Sequence, residues 1–166
     1  MPELLVLFAV IIAETILSLV WVPAYFHYGI PIFRIRVPSL TGIPAGAEDR
    51  LESLFTGSAM TPLVFRRFDA QEIAFRERAY GFAWFRYAPI MHGLIRQVPE
   101  EGAVHVIGWL NWSAAPLLVF AIWISSSGRD DSWFFPLAVI AVFTLSYAFQ
   151  AVRYRKVAAS LATAPV

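Results

Sequence analysis

The sequence predicts an integral membrane α+β protein in which three transmembrane helices flank a small, mainly antiparallel β domain. Hydrophobic residues make up 58% of the 166 residues and charged residues 15%, whereas soluble proteins average roughly 45–50% and about 25%. Three nearly uninterrupted apolar runs each approach the length of a membrane-spanning helix. Between the first two runs, short apolar–polar alternations are typical of strands.

The first apolar run, Leu4–Phe26, predicts one N-terminal transmembrane helix within residues 1–28. At 1.5 Å per residue it extends about 34 Å, which exceeds the hydrocarbon core of about 30 Å. No basic segment precedes it and no small-residue cleavage motif follows it, so we expect a retained helix rather than a signal peptide.

Two further runs, Val106–Ile124 and Ser132–Val152, predict a transmembrane helical hairpin over residues 106–152. The polar pentad 127–131 would be its loop, and residues 153–166 would be a C-terminal tail. Amphipathic aromatic side chains favour the membrane interface, and they cluster at the ends of the runs: Trp21, Tyr25, Tyr28, Trp109, Trp112 and Trp133.

Basic residues near the helix ends predict the orientation, because cytoplasmic ends carry an excess of arginine and lysine. On the opposite side, Arg129 stands beside Asp130 and Asp131. We therefore expect a multi-pass protein of the bacterial inner membrane with its N-terminus outside and its β domain and C-terminus cytoplasmic. The residues that indicate this are Arg34, Arg36, Arg153, Arg155 and Lys156.

Residues 29–105 are predicted to form the cytoplasmic β-rich domain with one short helix. Ile32–Val37 alternates apolar and basic residues as a half-buried strand does, and Ala47–Phe55 has the acids and apolar face of an amphipathic helix. We expect further strands at Leu63–Phe68, Glu72–Arg78, Phe82–Tyr87, Ile90–Val98 and Ala103–Ile107. The resulting sheet is antiparallel or an open barrel.

Glu14 is the sharpest single feature, because a carboxyl group inside an apolar run is costly. One hypothesis is a proton-relay carboxylate. The alternative, which we favour, is a structural acid hydrogen-bonded to Thr15, to Ser113 or to a neighbouring subunit, since the other two runs contain no aspartate, glutamate, histidine, lysine or arginine.

The sequence predicts no cofactor, metal site or catalytic residue, although pigment or lipid at the helix surfaces stays open. Cysteine is absent, which excludes disulfides and thiolate ligands. His27 and His105 flank the first two apolar runs and are the candidate cofactor ligands. The net charge of +1 argues against nucleic acid as a partner. No nucleophile elbow, phosphate loop or metalloprotease motif occurs, so we expect no enzyme.

Arginines that alternate with aromatic residues on the predicted strands suggest a basic sheet face for anionic lipid or an acidic partner. Solvated arginines balanced by acids across the strands are the alternative. The residues are Arg34, Arg36, Arg66, Arg67, Arg76 and Arg78.

The leading hypothesis is a non-catalytic accessory, structural or assembly subunit of a larger bacterial membrane complex, with photosynthetic or respiratory energy transduction as the suggested setting. Its partners would be other integral membrane subunits and phospholipid. The first alternative is a free-standing membrane-surface module that binds anionic lipid or a soluble ligand through its β domain. The second is a small membrane enzyme or transporter that uses Glu14.

Overall fold

The computed structural model describes residues 2–39, 42–56, 62–78, 90–126 and 134–163. A five-stranded antiparallel sheet with the order β1-β5-β4-β3-β2 lies at its centre. The strands are β1 Pro31–Pro38, β2 Leu63–Arg67, β3 Glu72–Glu77, β4 Met91–Val98 and β5 Ala103–Leu110. The helices are α1 Pro2–Val20, α2 Pro23–His27, α3 Ala47–Ser53, α4 Ala114–Ser126 and α5 Phe134–Ala162.

The predicted antiparallel β domain is confirmed. Strands β2 to β5 form a meander, and β1 joins it beside β5. A single 3₁₀ turn, Pro99–Glu101, connects β4 to β5 and ends at Gly102, whose φ of 55° lies in the left-handed region that glycine favours. The predicted strand Phe82–Tyr87 lies outside the described residues.

One face of the sheet, here called the α5 face, holds the larger core. Tyr154, Val157 and Ala158 of α5 pack on it together with Leu51 of α3. The pairing of Gly93 with Gly108 makes room for this packing. A Cβ on Gly93 would lie 2.1 Å from the Phe75 ring, and one on Gly108 would lie 3.0 Å from the Tyr154 ring.

The opposite face, here called the α2 face, holds a smaller core. Tyr25 and Phe26 of α2 cover Ala74 of β3 and Leu94 of β4. Ala74 and Leu94 lie opposite one another on neighbouring strands, so one short helix can cover both. Helix α2 thereby closes the end of the sheet that adjoins α1 and α4.

The prediction of three membrane-spanning helices is wrong for the described chain. One helix, Pro136–Ala162 with 27 residues, is long and apolar enough to cross a membrane by length and composition, whereas Leu5–Val20 and Ala114–Trp123 are shorter apolar helices. The first run breaks at Trp21, and its last residues form α2. The second run begins with β5 residues that are buried in the sheet, which leaves 13 residues for α4, or about 20 Å of helix.

Residues 153–162, which were predicted as part of a C-terminal tail, continue α5 and pack along the sheet. An apolar run in a sequence shows only that its residues are apolar. A strand or helix buried in a protein core has the same composition as one that faces lipid.

Candidate functional site

A buried polar cluster lies where α1, α2, β4 and the start of α4 meet. Its centre is the carboxylate of Glu14, which is 6% exposed. One carboxylate oxygen accepts hydrogen bonds from the Tyr25 hydroxyl at 2.8 Å and the Trp112 backbone N–H at 2.6 Å, and the other accepts the Ser113 N–H at 2.9 Å. These N–H groups precede the first turn of α4, so Glu14 acts as its capping group from another helix.

The structure shows the contacts of two of the three predicted partners of Glu14, Ser113 and Thr15. The Ser113 backbone is a partner, as the structural hypothesis expects, but the Thr15 hydroxyl bonds instead to the Ile11 carbonyl of its own helix at 2.7 Å. Tyr25 was not predicted as a partner, because an aromatic residue at the end of an apolar run is typical of the membrane interface. Its side chain is 2% exposed and points into the cluster.

His92 lies beneath Tyr25, and the two rings stack at a centroid distance of 4.0 Å. Its Nε2 lies 2.8 Å from the Tyr25 carbonyl oxygen, and its Nδ1 lies 3.0 Å from the side-chain amide of Asn111. His92 therefore joins α2 to the segment between β5 and α4. No carboxylate stands near His92 in the chain, so the sequence does not indicate this role.

Burial controls the ionisation of this cluster. It raises the pKa of the Tyr25 hydroxyl far above its ordinary value, and the adjacent Glu14 carboxylate raises it further. Burial lowers the pKa of His92, although its hydrogen bonds oppose the shift. Both groups are thus neutral near pH 7, which matches a cluster built around one carboxylate.

A second polar group, absent from the sequence predictions, joins α5 to the sheet. The Arg153 guanidinium donates to the Glu77 carboxylate at 2.6 Å, and both side chains are largely buried. The Gln150 amide nitrogen donates to the same carboxylate at 3.1 Å, while its oxygen accepts from the Ile90 and Met91 backbone. The sequence signal for this polar group is the three-residue spacing of Gln150 and Arg153, which places both side chains on one face of a helix.

The two candidate cofactor ligands, His27 and His105, have separate protein partners. His27 Nε2 lies 2.6 Å from Glu72, which also bonds Arg96. His105 Nδ1 lies 2.7 Å from Arg34, and its Nε2 lies 2.9 Å from Glu101. Within the described ranges, no group of three or more histidine, aspartate or glutamate side chains is arranged to hold a metal ion.

The predicted basic residues do not share one face. Strand pairing puts four of them on the α2 face and Arg67 on the α5 face. Arg67 and Arg78 bind Glu48 and Glu52 of α3, and the Arg67 guanidinium lowers the pKa of Glu48. The four on the α2 face are Arg34, Arg36, Arg66 and Arg76.

Arg76 differs from the other arginines because it lies under the end of α1. Its guanidinium is 4.8 Å from the centre of the Trp21 ring and donates to the Ser18 and Glu77 carbonyl oxygens at 3.0 and 2.9 Å. Burial lowers the pKa of Arg76 below its ordinary value. Trp21 was predicted at the membrane interface, and it stands beside this cation.

The other predicted aromatic residues at the interface have different surroundings. Trp112 is exposed, and its indole N–H donates to the carbonyl oxygen of the exposed Tyr28 at 3.3 Å. Trp109 lies on the α2 face with its indole nitrogen buried. Trp133 lies outside the described residues.

No known protein family, curated protein or solved structure matches this chain.

Proposed function

We propose that this protein is a non-catalytic, membrane-anchored accessory subunit of a larger bacterial membrane complex. The supporting observation is an apolar helix surface larger than one anchor needs. Helix α5 is the candidate anchor. Helices α1 and α4 add a second apolar surface that is exposed in the described part of the chain.

The exposed apolar side chains follow the length of both shorter helices. On α1 they are Leu5, Val6, Phe8, Ile12, Ile16, Leu19 and Val20, and on α4 they are Leu118, Val119, Ile122 and Trp123. Soluble monomers rarely expose contiguous apolar patches above a few hundred Å², and larger ones indicate a membrane or a partner protein. The first half of α5 exposes similar residues, among them Leu137, Ile140 and Leu145.

The lengths of α1 and α4 favour partner helices over lipid alone. Helix α4, with 13 residues or about 20 Å, is clearly shorter than a hydrocarbon core of about 30 Å, and the apolar stretch Leu5–Val20 of α1 extends about 24 Å. Helices shorter than the core are stabilised by association, because mismatch with the bilayer is costly. We therefore assign α5 to anchoring and the exposed faces of α1 and α4 to other integral membrane subunits, with phospholipid filling the remaining surface.

The charges at the two ends of α5 support an orientation in the bacterial inner membrane. Arg153, Arg155 and Lys156 lie in its C-terminal part, whereas Arg129 precedes it beside two aspartates. By the positive-inside rule, we propose that the C-terminal part of α5 and the β sheet lie on the cytoplasmic side. Protease digestion of right-side-out and inverted vesicles tests this assignment.

The contacts of Glu14 support its structural role. Both carboxylate oxygens accept hydrogen bonds from groups that the fold holds in position, namely the Tyr25 hydroxyl and the backbone N–H groups of Trp112 and Ser113. A relay carboxylate needs a second titratable group to receive its proton. The nearest such groups, Tyr25 and His92, are held neutral by burial.

Copurification tests the proposal directly. The full chain, extracted in mild detergent and separated by size-exclusion chromatography, should elute with other membrane proteins that mass spectrometry identifies. Replacing Ile12 and Ile16 of α1 by alanine should reduce the copurified partners, and Arg36→Ala on the exposed sheet should not. Elution of the chain as a lone monomer would refute the accessory role. Pigment or haem absorbance of the same sample tests the energy-transducing setting.

A further inference from the structure

The end of α1 brings an unneutralised cation next to an apolar surface. Arg76 donates to two neutral carbonyl oxygens, Ser18 and Glu77. Among the described residues, no carboxylate lies within ion-pair distance of its guanidinium. The carboxylate of the adjacent Glu77 is bound to Arg153 and Gln150 instead.

The segment that follows β3 in the chain offers no acid to fill that gap. Residues 79–89, which follow β3 and lie outside the described ranges, contain no aspartate or glutamate. A half-buried guanidinium loses hydration, and neutral carbonyl oxygens replace that hydration incompletely. An anion from outside the chain would restore the balance.

The surroundings of Arg76 indicate which anion fits. Leu19 and Val20 of α1, immediately before Trp21, are 46% and 63% exposed. Apolar surface therefore ends within one turn of the guanidinium. Trp21 itself stacks on Phe26 at 5.3 Å and covers the cation at 4.8 Å, as amphipathic aromatic rings do at headgroup level.

We infer that Arg76, flanked by Trp21, binds the phosphate of a phospholipid headgroup whose acyl chains begin along Leu19 and Val20 at the end of α1. The free N–H groups of a guanidinium match two phosphate oxygens in geometry and charge. A soluble phosphate would satisfy the cation but would leave Leu19 and Val20 in contact with water. This inference rests on the membrane anchoring in the proposed function and not on the presence of partner subunits.

Chemical protection tests the site in the unaltered full chain. Phenylglyoxal modifies arginine, and peptide mass spectrometry reports each arginine separately. In phosphatidylglycerol vesicles, Arg76 should react about tenfold more slowly than in detergent, as expected for a guanidinium held by a charged hydrogen bond. Arg66, which is exposed on the same sheet face, should react at similar rates in both.

Three results would overturn the inference. Equal reaction rates of Arg76 in vesicles and detergent would remove the lipid contact, and equal protection of Arg66 would show a general effect of the vesicle. Protection of Arg76 in detergent by inorganic phosphate alone would assign the site to a soluble anion.

Lipid retention measured by native mass spectrometry gives a second test. Arg76→Gln should retain fewer phosphatidylglycerol molecules than the unaltered chain, and Arg66→Gln should retain the same number. Circular dichroism shows whether each variant is folded. If Arg76→Gln is unfolded, the protection assay on the unaltered chain decides whether the lipid site exists. If Arg76→Gln is folded and keeps its lipid, the site does not exist, whereas the copurification of partners tests the accessory role independently.

Discussion

Glu14 shows how one residue joins distant parts of this chain. Its carboxylate binds backbone N–H groups of residues 112 and 113, nearly a hundred positions away. Charged hydrogen bonds of this kind contribute more than neutral ones, and a buried N–H without an acceptor is costly. The stability of the α1–α4 junction therefore depends on this carboxylate.

We predict that Glu14→Gln lowers the free energy of unfolding by about 1–3 kcal/mol, because the amide keeps one acceptor oxygen where the carboxylate had two. Thermal unfolding in detergent, followed by circular dichroism, measures the change. Glu101→Gln is the matched control, since Glu101 is 43% exposed, pairs with Arg36 at the surface and keeps, as an amide, an acceptor oxygen for His105; it should change the stability by less than about 1 kcal/mol. Equal effects of the two variants would contradict the capping role.

Because His92 is buried, we predict that the protein loses stability in acid. Its pKa is lowered by burial, so below about pH 6.5 the unfolded chain takes up a proton that the folded chain does not. The free energy of unfolding should then fall by up to about 1.4 kcal/mol per pH unit. Glu14, the nearest carboxylate, opposes this shift but does not outweigh the burial.

Unfolding measured between pH 7.5 and pH 5 checks this expectation. His92→Gln should flatten the pH dependence, whereas His27→Gln, at the partly exposed pair with Glu72, should leave the loss in place. An unchanged slope in His92→Gln would assign the acid sensitivity to another group.

At the scale of elements, α1 ends in a motif that usually contains glycine. The Val22 N–H bonds to the Leu17 carbonyl, and the Trp21 N–H bonds to that of Ser18. This is a Schellman ending, and Trp21 holds its left-handed position with φ of 61°. A side chain there costs about 1–2 kcal/mol, which the contacts of the Trp21 ring with Phe26 and Arg76 offset.

We predict that Trp21→Ala destabilises the protein more than Trp21→Gly, by about 1 kcal/mol. Both changes remove the indole ring, so their difference isolates the backbone conformation. Thermal unfolding of the two variants under the same conditions gives this difference. Equal stabilities would mean that residue 21 does not hold the left-handed conformation.

The sheet contains an equally specific element, the pairing of Gly93 with Gly108. We predict that Gly93→Ala costs about 1–3 kcal/mol, because its methyl group enters the space of the Phe75 ring. Combining Gly93→Ala with Phe75→Leu should cost less than the sum of the single changes, since the smaller side chain leaves room. Additive costs in this double-mutant cycle would show that the two positions are independent.

At the scale of the whole molecule, α5 belongs to two environments. Its first half exposes apolar side chains, while Tyr154, Val157 and Ala158 lie in the core of the sheet. The Glu77–Arg153 pair holds the second half in place. Removing one partner of a buried ion pair typically costs about 3–5 kcal/mol, so α5 and the sheet should fold as one unit.

We therefore predict that a chain ending at Val152 loses the folded sheet, while a chain ending at Ala162 keeps it. The shorter chain lacks the side chains that cover the α5 face. Near-ultraviolet circular dichroism and resistance to limited proteolysis measure the outcome. A protease-resistant sheet in the shorter chain would show that the second half of α5 is dispensable.

Local sequence patterns were enough to predict five strands and the short helix α3. Alternation in β1, the proline- and glycine-containing turn before β5, and the acids that begin α3 are all local signals. They act through neighbouring residues, which is why a single sequence reveals them. Net composition likewise indicated that the chain exposes an unusual amount of apolar surface, as α1 and α4 do.

Tertiary structure alone decided which apolar residues are buried in protein and which are exposed. Val106 in β5 and Val119 in α4 belong to the same apolar run, yet the first is fully buried in the sheet and the second is 65% exposed. Burial depends on partners such as Tyr154 that lie far away in the chain. Contacts of that kind leave no periodic signal, so three apparent membrane spans became one candidate span, and Glu14 became the cap of a distant helix.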